Sequence, residues 1–421
     1  GLGDVYKRQL LNLVQRNLFV HSISDEKEGR LFRCHQLFRD YLTSRFNSDL
    51  KEEERLAFLH KAGSLCESRG RMEHAAHFYI RCGSSENAAL VIQTIGMGLL
   101  MMGGTADRGN LIKALPEHYV RNNPWLLLYL SATRRFTGVE ENASSLQTAL
   151  ALFKQKAELR GQILTLALLI EASAYRGRDI IPMGILVEEA ENLLHLIPFE
   201  RYPWESATLW LQLGFGVALR GGDQRKGYEA FQNAYLLSRS IGNSPLQIAA
   251  LVNSILDLSI LGEFELSEKM SQKAILILEK EPYPELRALY LLHYSMACTT
   301  QGKLSLANDC VNEAKELLQE HGLIYLYPLA LLSELMLMPQ MGDFKKGEET
   351  GRQLLEFSKG FGLKFIKALA FMCLGTCYYL KQDYKAAGEY FKASCRIVFD
   401  DDSYSENHIM FNKIFMGIVY I

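Results

Sequence analysis

Residues 341–350 read "MGDFKKGEET", and the same pattern returns as "LGEFELSEKM" (261–270), "QGKLSLANDC" (301–310) and "KQDYKAAGEY" (381–390), with "RGGDQRKGYEA" (220–230) ahead of them. Aligned, Gly222, Gly262, Gly302, Gly342 and Gln382 each stand 40 residues from the next. A fixed period of this size marks a repeat architecture. The columns around the turn make physical sense. Two residues on come Gln224, Phe264, Leu304, Phe344 and Tyr384, mostly large and apolar. Five on come Gly227, Ser267, Ala307, Gly347 and Ala387, all small; twelve on come Ala234, Ala274, Ala314, Leu354 and Ser394, mostly small. Small residues on one helix face let a neighbouring helix approach closely. A glycine in the turn ends the first helix by taking the left-handed conformation. Each unit is therefore predicted to be a helix, a short turn and a second helix, with the core supplied by stacking one unit on the next.

The unit "FMCLGTCYYLKQDYKAAGEYFKAS" (371–394) resembles a tetratricopeptide repeat, with Leu374, Gly375, Tyr378, Tyr384, Ala387 and Phe391 at the positions that motif uses. The other units match mainly at the turn and the small columns. Their period exceeds the usual one of about 34 residues, so helices or connections must be longer. Weaker turns at Gly70, Gly103, Gly138 and Gly177 extend irregular hairpins through 51–200, and the regular repeats occupy 201–421. The expected fold class is all-α: an α-α superhelix of tetratricopeptide-like hairpins with a concave face.

Composition narrows the function. The chain has 421 residues, 48% hydrophobic and 22% charged, with a formal net charge of −2. That balance is ordinary for a soluble protein and offers no basic surface for direct nucleic-acid contact. The apolar stretch "AALVIQTIGMGLLMMGG" (88–104) is short for a membrane span and is broken by Gln93, Gly96 and Gly98. Eight cysteines (34, 66, 82, 298, 310, 373, 377, 395) lack paired spacing, which reads as reduced thiols in a cytoplasmic protein. The opening "GLGDVYKRQ" (1–9) reads as a non-native, adapter-derived tail. The closing "KIFMGIVYI" (413–421) stops inside a helical pattern, so a piece of a longer protein is expected.

Residues 10–50 have a different texture. "NLFVHSI" (17–23) and "RLFRC" (30–34) flank the charged turn "SDEKEG" (24–29), a β-hairpin pattern. Leu37, Phe38, Tyr41, Leu42 and Phe46 then form one helical stripe. A hairpin beside helices reads as a winged-helix remnant. "RCHQLFRDYL" (33–42), followed by "LIKALPEHYVRNNPWLLLYLSATRRFTG" (111–138), resembles the winged-helix end and arm of MalT-like, LuxR-type signal-transducing NTPases. The resemblance implies an ATP/ADP switch and a DNA-binding module outside this stretch, a sensor arm within it, and self-association of the full-length protein. Related switch ATPases carry a Met-His-Asp motif here whose histidine contacts the β-phosphate of ADP. This chain has Cys34, His35 and Gln36, so the resemblance carries over His35 alone and leaves the acidic position unmatched. An imidazole can donate to a phosphate oxygen. The residues alone also allow His35 to cap or pack at the helix start.

No G-x-x-x-x-G-K-[ST] loop, nucleophile elbow or H-E-x-x-H helix occurs, so no catalytic or metal residue is assigned and no cofactor is expected on this portion. "HAAH" (His74, His77) lacks a third ligand nearby, and Cys373 and Cys377 lie in an apolar helix; a solvated face and packed thiols are the expectations. The first helices hold a more telling feature. Asn253 and Asp257 stand one turn apart in "ALVNSILDLSI" (250–260), and His293 and Ser333 occupy the Asn253 column of the next two repeats. Such a row could recognise a protein or small-molecule effector in the concave groove, or could be inter-repeat hydrogen bonding. The sequence thus points to the sensing arm of a bacterial transcriptional regulator, the alternative being a tetratricopeptide scaffold without a nucleotide switch. An enzyme built into the groove is a third class that no motif supports. Lacking a phosphate cradle, the purified chain should show no ATP hydrolysis above background in a phosphate-release assay; turnover that co-elutes with the protein would overturn this.

Overall fold

The structure is a computed structural model that describes residues 9, 11–16, 19–25, 29–102, 106–133, 139–176, 182–198, 200–218, 223–280, 283–360 and 364–399. The expected hairpin is present: β1 (Val20–Asp25) pairs antiparallel with β2 (Gly29–Cys34), in register from Val20↔Cys34 to Asp25↔Gly29. Helix α1 (Gln36–Asp49) follows directly, and the His35 amide donates to the Phe19 carbonyl at 2.6 Å, tying the helix start to the residue before β1. The apolar stripe of α1 is left uncovered: Leu37 is 71% and Tyr41 57% exposed. Phe38 stacks on Phe19, and Phe46 meets Phe58 edge-on. Next come α2 (Glu52–Ser68), α3 (Met72–Arg81) and α4 (Ser85–Met102). The chain forms two compact units, residues 1–97 with 110–119, and 98–109 with 120–421. Packing makes that division, whereas the segments 10–50, 51–200 and 201–421 rest on sequence texture.

After the short α5 (Ala106–Lys113) and α6 (Glu117–Asn122), the second unit runs as successive hairpins. They are α7 (Pro124–Thr133) with α8 (Val139–Gln155), α9 (Leu159–Arg176) with α10 (Met183–Leu196), and α11 (Pro203–Gly216) with α12 (Gln224–Ser240). Then follow α13 (Ser244–Ile260) with α14 (Phe264–Leu278) and α15 (Pro284–Thr300) with α16 (Leu304–His321). The described hairpins end with α17 (Tyr327–Leu337) and α18 (Phe344–Gly360), then α19 (Lys364–Leu380) and α20 (Tyr384–Phe399). Local chemistry sets the boundaries. First helices open on a proline in α11, α13, α15 and α17, where its missing N–H costs nothing. Asp223, Asp343 and Asp383 cap second helices by accepting from Lys226, Lys346 and Ala386 amides at 2.9, 3.0 and 3.1 Å.

The turn column behaves as its glycines predict. Gly262, Gly302 and Gly342 are left-handed, with φ of 77°, 73° and 84°, and Gln382 is held there as well, at 65°. Gly70 is left-handed too; Gly103, Gly138, Gly177 and Gly222 lie outside the described residues. The small column five residues on sits where three helices meet. A Cβ on Gly227 would lie 2.9 Å from Ala218 and 2.7 Å from Asp257 Oδ2, the latter on the next first helix. One on Gly347 would lie 3.1 Å from Pro339 and 3.2 Å from Cys377 Sγ, the same arrangement three periods of the ruler later. At the intervening units, Ser267 Oγ donates to the Ile255 carbonyl at 2.9 Å and Ser295 Oγ donates to the Ala307 carbonyl at 3.0 Å. All described residues from Glu52 onward that take regular structure are helical, the tetratricopeptide-like stack expected, and no helix among them is long and apolar enough to cross a membrane.

Two substitutions separate packing from propensity. Alanine normally favours a helix over glycine by about 1 kcal/mol. At Gly375, however, a Cβ would come within 2.6 Å of the fully buried Phe391 ring. Gly375→Ala should therefore destabilise by about 1–2 kcal/mol net, since overpacking costs roughly 1–3. Gln382→Gly should stabilise by about 0.5–1 kcal/mol by relieving the left-handed backbone. Urea unfolding of both variants reads the two signs, and the same sign for both would defeat the account.

Candidate functional site

The first helices carry a half-buried stripe built by residues three and four apart, which share a helix face. It holds Leu246, Ala249, Asn253 and Leu256 on α13, Leu286 and Leu289 on α15, Leu329 and Met336 on α17, and Leu369 and Met372 on α19. Neighbouring first helices pack side by side from α11 to α19, so the stripe continues from hairpin to hairpin. The sequence signal of this apolar surface is the leucine column at Leu289, Leu329 and Leu369.

The four polar candidates differ in what they can reach. Asn253 is half-buried, and its Nδ2 donates to the Ala249 carbonyl at 2.8 Å on its own helix. His293 is buried; its Nδ1 lies 3.0 Å from the Leu289 carbonyl. A carbonyl only accepts, so Nδ1 carries the proton and Nε2 is the remaining acceptor. Burial lowers the imidazole's pKa, with the Leu289 bond partly opposing, and keeps the ring neutral at neutral pH. Ser333 is also buried, and its Oγ faces the Leu329 carbonyl at 3.0 Å and the Leu292 carbonyl of the preceding hairpin at 3.3 Å. That second contact joins α17 to α15. Asp257 does not share the Asn253 setting: it is 6% exposed, lies against Gly227, and its Oδ2 has no hydrogen-bond partner among the described residues. Burial holds its carboxyl well above the usual carboxylate range.

A second buried carboxylate is fully served. Glu334, on α17, receives Lys315 Nζ at 2.6 Å and Thr350 Oγ1 at 3.1 Å, so it links α16, α17 and α18. Sequence reading passed over it, although a lone acidic residue inside "PLALLSELMLM" (328–338) was the available signal. Elsewhere, His35 stands at the N-cap of α1 with its side chain exposed and making no cap hydrogen bond. His74 and His77 are exposed on α3, and no group of His, Cys, Asp and Glu among the described residues could hold a metal ion. Cys373 and Cys377 are buried, and burial pushes their thiols up to about 12 and about 11.

Comparison with known proteins agrees with these two textures. Residues 4–54 match the MalT winged helix domain, a match that begins inside the stretch read as a tail. No curated protein matches the chain. Among solved structures, a signal transduction ATPase with numerous domains from Pyrococcus horikoshii, which has a tetratricopeptide repeat sensor, aligns at TM-score 0.54 and 14% identity. That alignment covers 96% of this chain and 60% of that one. A Rap protein complexed with Competence and Sporulation Factor aligns at TM-score 0.54 and 12% identity, over 84% of this chain and 99% of that one. Aspartyl phosphate phosphatase F from Bacillus subtilis aligns at 0.52 and 13%, over 78% and 93%. At these identities the likeness is one of fold. The protein thus joins a MalT-type winged helix to a tetratricopeptide-like helical repeat, and resembles MalT-like signal-transducing NTPases in that combination.

Asp257 makes this stretch pH-sensitive. Its folded pKa lies above the unfolded value of 3.8, so the unfolded chain releases the proton first as pH rises. Stability from this group is complete below that value and is lost as pH climbs toward the folded pKa. Thermal melts at pH 4 and pH 7 should show wild type losing stability relative to Asp257→Asn on going to neutral pH. Parallel melting curves would sink the claim.

Proposed function

We propose that this chain is the winged-helix end and sensing arm of a cytoplasmic bacterial transcriptional regulator of the LuxR type, its ATP-binding switch and DNA-binding module lying elsewhere in the full-length protein. The observation that carries the reading is the joining of a MalT winged helix to a tetratricopeptide-like stack in one chain. In this reading the stripe on the first helices receives a protein or small-molecule effector. The Rap protein of similar fold, solved in complex with Competence and Sporulation Factor, supports effector binding by such a protein. Leu289, Leu329 and Leu369 would supply apolar contact and Asn253 the accessible polar group, while Asp257, His293 and Ser333 tune the packing behind it. His35, exposed at the head of α1, would donate to a phosphate of ADP bound by the switch domain, coupling nucleotide state to the arm. The scaffold alternative lacks that coupling and predicts no nucleotide effect on the full-length protein.

In the full-length protein, Asn253→Ala and His293→Ala should weaken the transcriptional response to inducer by several-fold while ADP binding and the helical circular dichroism signal stay unchanged. A reporter assay beside a nucleotide-binding titration measures both. Wild-type responses from the two folded variants, or loss of fold in both, would place effector recognition elsewhere.

A further inference from the structure

In a solenoid each repeat touches its sequence neighbours. This one adds a contact of another kind: α9 packs on α19, with four hairpins between the two that contain them, and their Cα atoms approach within 8 Å. Nearest-neighbour stacking does not supply this contact; it exists because the stack returns on itself. Both helices are apolar enough for it. Helix α9 buries Ile163, Leu164, Leu166, Ala167, Leu169 and Ile170 on adjoining positions around its circumference. A helix that is apolar on most sides needs partners on most sides. On α19, Cys373, in the Asn253 column, is 8% exposed, and Leu369, in the Leu289 column, is half-buried.

We propose that the α9–α19 contact is a clasp that closes the first-helix stripe, so that an effector must displace it. The stripe residues of α13, α15 and α17 lie between these two helices in the stack, and contact between its ends narrows the way in. The clasp rests on the effector reading above, and it makes effector binding and closure mutually exclusive. The arm then binds with an affinity reduced by its open fraction, and a variant that weakens the clasp binds more tightly.

The test needs no effector. Leu369→Arg places a charge in the stripe of α19. Hydrogen exchange should rise several-fold in Leu159–Arg176, four hairpins away, while Ser244–His321 keeps its protection. Binding of the apolar dye ANS should rise with it, as stripe leucines become accessible. If Leu369→Arg fails to fold by circular dichroism, the milder Leu369→Ser decides the same question through the same exchange in Leu159–Arg176. Loosening confined to the substituted helix would overturn the clasp. An Asn253→Ala variant with normal inducer response would count against the effector reading and leave this exchange result standing.

Discussion

The structure depends on one steric constraint, repeated at each hairpin: a second helix must pass close to two first helices at once. The residue at that crossing has no room for a side chain of ordinary size. Gly227 and Gly347 meet it with no Cβ, Ala307 and Ala387 with a methyl, and Ser267 with a hydroxyl that bonds the Ile255 carbonyl. Because the crossing joins one hairpin to the next, it sets the distance between repeats as well as within them. The left-handed turn five residues earlier aims the second helix at it, which is why Gln382 is held in a conformation usually left to glycine.

Polar groups caught in this packing show how far the stack tolerates charge. Glu334 is buried but receives a lysine and a threonine from flanking helices, and Arg160 reaches the buried Glu205 at 2.5 Å. Removing one partner from a buried pair leaves the other uncompensated, which costs about 3–5 kcal/mol when both are fully enclosed. Lys315 and Arg160 are 30% and 40% exposed, so water lowers that figure here. Asp257 has no such partner among the described residues, and its burial favours the neutral carboxyl over the charged one. It stands where the other repeats place Ala297, Leu337 and Cys377, so a carboxyl occupies a position built for packing.

The N-terminal unit follows a different logic. Phe19, just before the two-stranded hairpin, ties to the start of α1 through the His35 amide and to its face through the Phe38 ring, and the helix leaves Leu37, Tyr41 and Leu42 in solvent. The periodicity of α1 correctly marked a helix with an apolar face. Periodicity reports that a face is apolar; it carries no information on what covers it.

What the sequence determined by itself were the local terms: the 40-residue ruler, the left-handed glycine turns, the β-hairpin and the helical class. Each depends on a few adjacent residues, so each is written in the order of the chain. What only the tertiary structure decided were the environments. Asn253 and Asp257, one turn apart, look equivalent in sequence, yet a rotation of about 40° around the helix separates a half-buried stripe from a crossing against Gly227. His293 and Ser333 share Asn253's column and lose its access, and Glu334 hides among leucines with its partners 16 and 19 residues away. The meeting of α9 with α19 lies furthest from sequence reading. It sums small rotations over successive hairpins, and no single residue records that sum.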